Sequence, residues 1–240
     1  MQRSTRKFGV WLWIMPLLAS SVSWASMFDI QLWNGTTAHW DWSAPIIDTG
    51  SGYKVDDVTY SPLGATLRAY NITLESDPFI SASVDVVNNT ALTQTYTLIF
   101  TMPISPPITP GSRIGGSTQG GLTDANNDGV GTLSTVGPGT ALYYGQIDGA
   151  DVLPLFPDPN SLSVPFAGGS ASESTSAGLP GPTIAGPSAL TSIGIKHQFS
   201  LTAGDRATFT SFFIVQAVPE PGSLSLLAVG GLIMAFRRRR

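Results

Sequence analysis

Apolar and polar residues alternate with a period of two along much of the chain, the spacing of a β-strand with one buried face. The clearest run places Ile80, Ala82, Val84 and Val86 on one side and Ser81, Ser83, Asp85 and Val87 on the other. Asn88-Asn89-Thr90 follows as a turn. The alternation then resumes, with Tyr96, Leu98, Phe100 and Met102 set against Thr95, Thr97, Ile99 and Thr101. Taken in order, the two runs predict an antiparallel pair, ended by Pro103, which cannot donate to a ladder. A second pair is predicted later. Ile193, Ile195, Phe199 and Leu201 share one face, Thr202-Ala203-Gly204-Asp205 turns, and Ala207, Phe209, Phe213 and Val215 share a face of the next strand. Phe212 and Ile214 lie opposite, and apolar residues on both faces predict a central strand. Fainter alternation marks strands around residues 28–33, 55–60, 66–74 and 141–147.

No long segment repeats at 3.6 residues. Many short strands predict an all-β fold, a single antiparallel β-sandwich of immunoglobulin-like or jelly-roll-like type, with a closed barrel as the alternative. Val84, Val86, Leu98, Phe100, Ile195, Phe199, Phe209 and Phe213 are the expected core. Two stretches rich in Pro, Gly and Ser, residues 103–121 and 167–190, are expected as irregular loops, because they offer little apolar surface to offset their ordering entropy. Only two strands follow the second stretch, too few for another domain, so residues 26–217 are read as one body.

The two ends break this pattern. Arg3, Arg6 and Lys7 precede the apolar run 8–18, and Ser23-Trp24-Ala25 places small residues where a signal peptidase requires them. Residues 1–25 therefore read as a signal peptide cleaved after Ala25. At the other end Val218-Pro219-Glu220-Pro221 leads into an uncharged apolar stretch, 223–236, closed by Arg237, Arg238, Arg239 and Arg240. The arginines are expected on the cytoplasmic side, with the body outside. As a helix the stretch would span roughly 21 Å, short of a hydrocarbon core of about 30 Å, which suits a temporary stop. Two prolines enforce an extended backbone just outside the bilayer, a form that a protease-like cleft can bind.

Pro-Glu-Pro, a short apolar helix and a terminal Arg cluster, in that order, resemble the PEP-CTERM sorting signal. The resemblance is confined to residues 218–240. It implies a substrate of exosortase, a membrane enzyme that recognises Pro219, Glu220 and Pro221 and cuts at or near them. It also implies transient anchoring in the inner membrane, followed by release or attachment at the cell surface, commonly in bacteria that make exopolysaccharide. Helices are thus expected only in the signal peptide and the membrane segment.

Composition narrows the chemistry. There is no cysteine, which excludes disulfides and Cys-ligated metals. Between residues 26 and 218, Lys54, Arg68, Arg113, Lys196 and Arg206 face thirteen Asp plus Glu75 and Glu173, a net charge of −10. Such a body argues against nucleic acid as a partner, since phosphate binding needs clustered Lys and Arg. The histidines are His39 and His197 alone, and no Gly-x-Ser-x-Gly elbow, P-loop or dinucleotide fingerprint occurs. His197 falls on an apolar face with Ile195 and Phe199, the setting of a core histidine. The expectation is a non-enzymatic envelope or extracellular-matrix protein. An exported hydrolase using paired carboxylates stays open, because their spacing is spatial.

Two features suggest binding. Trp33, Trp40 and Trp42, the tryptophans outside the leader, read either as core filling or as a platform for extracellular polysaccharide, which would make the body a carbohydrate-binding module. The run Asp124-Ala125-Asn126-Asn127-Asp128-Gly129 resembles the start of an EF-hand or dockerin-type loop. Oxygens at Asp124, Asn126 and Asp128 with the Val130 carbonyl would converge on calcium, and Gly129 would permit the turn. Position 12 of that loop is Thr135 rather than Glu. Affinity would be on the order of 10⁻⁴–10⁻³ M. A plain Asx turn is the other reading. No cofactor is expected to be required.

Overall fold

Strand-forming alternation needs a partner sheet for its apolar face, and the chain supplies one by crossing repeatedly between two layers. The computed structural model describes residues 27–35, 38–50, 52–61, 64–75 and 78–218. The expected signal peptide with its cleavage site at Ala25 lies outside these residues, as do Pro219, Glu220, Pro221, the stretch 223–236 and Arg237–Arg240.

The described residues are all-β, in two antiparallel sheets, with no helix among them. The strands are β1 (Met27–Asn34), β2 (Ala38–Pro45), β3 (Ile47–Asp48), β4 (Tyr53–Val55), β5 (Val58–Tyr60), β6 (Ala65–Glu75), β7 (Phe79–Asn88), β8 (Gln94–Pro103), β9 (Ser112–Thr123), β10 (Gly131–Ser134), β11 (Ala141–Ile147), β12 (Ala150–Pro157), β13 (Ser161–Val164), β14 (Ser170–Ala177), β15 (Ile184–Gly186), β16 (Ser192–Leu201) and β17 (Arg206–Ala217). One sheet runs β12-β11-β16-β8-β1-β2, with β10 joining β16 and β13 joining β10. The other runs β14-β9-β17-β7-β6-β4-β3, with β15 on β9 and β5 on β6.

The two predicted strand pairs are corrected by this topology. β7 and β8 belong to different sheets, as do β16 and β17. β8 pairs with β1 and β16, while β17 lies between β9 and β7. Each apparent hairpin turn is a corner between layers. Asn88 explains the first corner. It is fully buried, its Nδ2 faces the carbonyl oxygens of Leu92 (2.8 Å), Leu201 (3.0 Å) and Thr202 (3.0 Å), and its Oδ1 accepts from the Thr90 N–H and hydroxyl. One side chain thus joins the 88–92 corner to the 201–205 corner.

All eight expected core residues are buried, at 1% exposure or less. Rings from the two sheets meet across the interior, with Phe209 of β17 at 5.0 Å from Phe199 and 4.3 Å from His197, both of β16. β17 is a central strand, as its two apolar faces required.

The expected loops are corrected in part. Residues 104–111 are irregular apart from one bridge, but Pro103 ends β8, β9 occupies 112–123, and β14 and β15 take up parts of 167–190. Composition misled because these strands need few apolar side chains of their own. β9 is glycine-rich, and the space is filled from opposite: a Cβ on Gly116 would meet the Tyr143 hydroxyl at 2.8 Å. That hydroxyl donates to the Phe212 carbonyl at 2.8 Å. β14 pairs with β9 along its whole length as a polar edge strand of alternating exposure, a composition that resists edge-to-edge association.

Candidate functional site

The chemistry-bearing side chains fall into three groups. The first is buried. His197 Nδ1 lies 3.2 Å from the Leu142 carbonyl, Nε2 lies 3.1 Å from Ser211 Oγ, and Ser211 Oγ lies 2.8 Å from Thr118 Oγ1. A carbonyl only accepts, so Nδ1 carries the proton, Nε2 accepts from Ser211, and Ser211 accepts from Thr118. Burial pushes the His197 pKa down to about 4 against the opposing pull of the Leu142 carbonyl. A hydroxyl bonded to an imidazole nitrogen is the arrangement of a nucleophile and its base. Here, however, His197, Ser211 and Thr118 are at most 2% exposed, and Phe209 stacks on the ring. The group is a satisfied polar link between β16, β17 and β9, as expected for His197. The link to Ser211 and Thr118 had no signal in the sequence.

Carboxylates are similarly tied to structure. Burial alone would raise the pKa of Asp148, but the N–H groups of Ser192, Leu190 and Thr191 and the Thr191 hydroxyl hold it at about 2. This carboxylate closes the 148–149 turn onto the segment entering β16. Asp85, buried on β7, pairs with Arg206 across the strand pair and accepts from the Tyr70 hydroxyl at 3.4 Å.

The second group is aromatic, and the structure divides the three tryptophans. In the β1–β2 register Leu32 faces Trp40 and Ile30 faces Trp42, whereas Trp33 is the neighbour of His39. Alternation therefore places Trp40 and Trp42 on the inward face and Trp33 on the other. Of the three, Trp40 and Trp42 thus share a face, and Trp33 stands on the other. Trp40 and Trp42 are half-buried against the core, 6.5 Å apart with planes 19° from parallel. Tyr60 of β5, in the opposite sheet, stacks on Trp40 at 4.2 Å. The row bridges the edges of the two sheets, and Tyr60 is a member that no sequence spacing connects to Trp40.

The third group is the loop 124–130. Asp124 is buried, while Asn126, Asp128 and Val130 are exposed. The Asp124 Oδ2 accepts from the N–H groups of Gly129 (2.8 Å) and Gly168 (3.2 Å). Asn126 Oδ1 accepts from the Asp128 N–H (3.0 Å), its Nδ2 donates to Asp128 Oδ2 and to the Ala203 carbonyl (both 2.9 Å), and Asp128 Oδ1 accepts from the Val130 N–H (2.8 Å). Asn127 and Gly129 take the left-handed conformation that makes the turn. Among the described residues, no three His, Asp or Glu side chains form a group that could hold a metal. The loop is thus a chain of Asx turns, with a buried carboxylate at its start.

At the end of the body, β17 runs to Ala217, and Val218 is the last described residue. Residues 217–240 match the family model of the PEP-CTERM protein-sorting motif. The match begins on the last residue of β17 and takes in the Pro-Glu-Pro triplet, the apolar stretch and the arginines. The chain therefore carries a sorting signal that implies export, membrane-associated processing and exosortase as the processing partner. No curated protein matches the chain.

Proposed function

We propose that this protein is a non-enzymatic component of the cell envelope or extracellular matrix, held briefly in the inner membrane and then released or attached at the cell surface once exosortase has cut its tail. The observation that carries the reading is the sorting motif at 217–240, joined without a break to the central strand of an all-β body. In this reading the body is a β-sandwich. The crossings between sheets at 88–94, 103–112 and 201–206 favour the jelly-roll-like form. Signal peptidase acts first, after Ala25. The absence of an enzymatic role is part of the proposal, and it is supported by the sealed environment of His197 and Ser211 and by the structural bonding of Asp85 and Asp148.

The test is to replace Pro219, Glu220 and Pro221 by Ala in the producing cell. Wild-type protein is expected to lose residues beyond the motif and to begin at Ser26, whereas the variant stays in the inner membrane with Arg237–Arg240 intact. Normal maturation of the variant refutes the reading. A second reading, binding of extracellular polysaccharide, rests on the half-exposed row Trp42, Trp40 and Tyr60. Retardation in polysaccharide-containing gels that Trp42→Ala removes would favour it.

A further inference from the structure

Both ends of the described body leave it on one side. The corners 88–94 and 201–206 carry the chain between the sheets at the far end, so β8 and β17 each run away from those corners, toward Pro103 and Ala217. β1 is antiparallel to β8 and therefore starts near Pro103, at Met27. The expected signal peptide and the sorting tail thus depart from the same end. Only residues 218–222 separate Ala217 from the apolar stretch that begins at Ser223, a reach of about 20 Å when fully extended. The corners lie roughly 40 Å away along β17.

Charge is unevenly placed at this end. Of the five cations of the body, Lys54, Arg68, Lys196 and Arg206 each pair with an aspartate, namely Asp56, Asp57, Asp151 and Asp85. Arg113 has no ion pair among the described residues. It is exposed at the start of β9, between Gln216 of β17 and Ala185 of β15, and it donates to the Thr183 carbonyl at 2.8 Å. No Asp or Glu occurs in 103–117, 178–191 or 207–218, the segments that build this corner. The same corner carries Leu190, 52% exposed, next to the bridge between Ala189 and Ile108. Asp148 reaches the corner from β11, and its charge is held by the N–H groups of Leu190, Thr191 and Ser192. Asp29, Asp48 and Glu75 stand near this end on β1, β3 and β6.

We propose that the β9–β15–β17 corner is a membrane-docking surface, on which Arg113 binds the phosphates of lipid headgroups and Leu190 enters the interface while the tail anchors the chain. The proposal rests on the reading of 217–240 as a membrane-inserted sorting signal. A guanidinium offers a planar fork of donors that matches phosphate oxygens. A body of net charge −10 is repelled by an anionic surface, and it is repelled least with its acid-free corner turned toward that surface. The short tether keeps this corner within reach of the bilayer. Docked in this way, β17 stands upright and Val218 lies at the lipid surface, where a membrane enzyme works.

The chain has no cysteine, so one introduced cysteine carries a fluorophore to a chosen place. The full chain, anchored in vesicles of phosphatidylglycerol and phosphatidylcholine with a spin-labelled headgroup lipid as quencher, tests the proposal. A label at Leu190→Cys should be quenched strongly. A label at Phe166→Cys, exposed on the loop that meets Asp124 at the far end, should be quenched weakly. Arg113→Gln should lower the ratio of docked to undocked bodies about fivefold. Arg113→Lys, which keeps the charge without the fork that holds Thr183, should retain most of it. In vesicles of galactolipid, which has no phosphate, Arg113→Gln should change nothing. Equal quenching at the two sites, or wild-type quenching at 190 in Arg113→Gln, overturns the proposal. So does an Arg113→Gln effect that persists in galactolipid, which would assign the guanidinium to Glu220 of the tail instead. A chain that does not float with the vesicles overturns the sorting reading and this proposal together.

Discussion

Replacing Asn88 by Ala should destabilise the body by about 2–4 kcal/mol, more than any other truncation of a single polar side chain at the corners. The magnitude follows from which partners water can reach. Leu201 is fully buried, so losing the 3.0 Å bond to its carbonyl leaves an orphaned acceptor at a cost of about 1–3 kcal/mol. The bond from the Thr90 N–H is lost too, at about 1 kcal/mol, since Thr90 is partly exposed and can rehydrate, while the Thr90 hydroxyl, whose one proton is shared between Asn88 Oδ1 and the Leu92 carbonyl, turns wholly to the latter. The Leu92 carbonyl loses little, because it also accepts from the Thr90 hydroxyl at 2.9 Å. Thr90→Val is the control. It removes one hydroxyl from the same corner and should cost about 1 kcal/mol. Urea unfolding followed by tryptophan fluorescence gives both values, with an unchanged m-value as the sign that only stability has moved. An Asn88→Ala cost no larger than that of Thr90→Val would refute the claim that this side chain joins the two corners.

The remaining predictions concern the interior. A Cβ on Gly145 would collide with the Phe213 ring, so Gly145→Ala should cost about 1–3 kcal/mol. Phe213→Leu should recover part of that loss in a double-mutant cycle, and strict additivity would refute the contact. The buried His197 has its folded pKa lowered to about 4 from an unfolded value of about 6.5. The unfolded chain therefore binds the extra proton first. The stabilisation is complete above pH 6.5 and is lost as the pH falls toward 4, by about 3 kcal/mol in all. His197→Gln should flatten the dependence of the urea midpoint between pH 7 and pH 4, and an unaltered slope would show that the imidazole is not buried neutral.

What the sequence revealed and what it hid follow from the kind of signal involved. Period-two alternation reports which face of a strand is buried, so Val84, Phe100, Phe199 and Phe213 were legible. It says nothing about which strand lies alongside, so the 80s and 90s runs were paired with each other when Asn88 in fact turns the chain from one sheet to the other. Low apolar content reports a missing hydrophobic face, which 112–123 and 170–177 do lack. For β9 the space is filled by Tyr143 and Leu153 from the opposite sheet and by Phe209 from the neighbouring strand, and Gly116 and Gly120 make room for them. The Asp-x-Asn-x-Asp-Gly spacing located a turn. The register that sets Thr123 against Arg206 depends on strands far apart in sequence, and no local pattern encodes it. The sorting motif was readable because its recognition rests on order along the chain rather than on folding.

The position of β17 decides how the body answers a pull. β17 is bonded to β9 from Arg206 to Ala217 and to β7 from Arg206 to Ile214, and it is the strand that continues into the sorting tail. Its hydrogen bonds lie perpendicular to its axis, so tension applied through the tail loads both ladders together in shear. A body tethered by an edge strand such as β2 would instead unzip one bond at a time. At about 3.3 Å per residue, the twelve residues of β17 carry that load roughly 40 Å from the membrane-side end. There it reaches the corner where Asn88 and Asp205 meet. Drag on the projecting end of an anchored chain would thus be borne by two ladders at once.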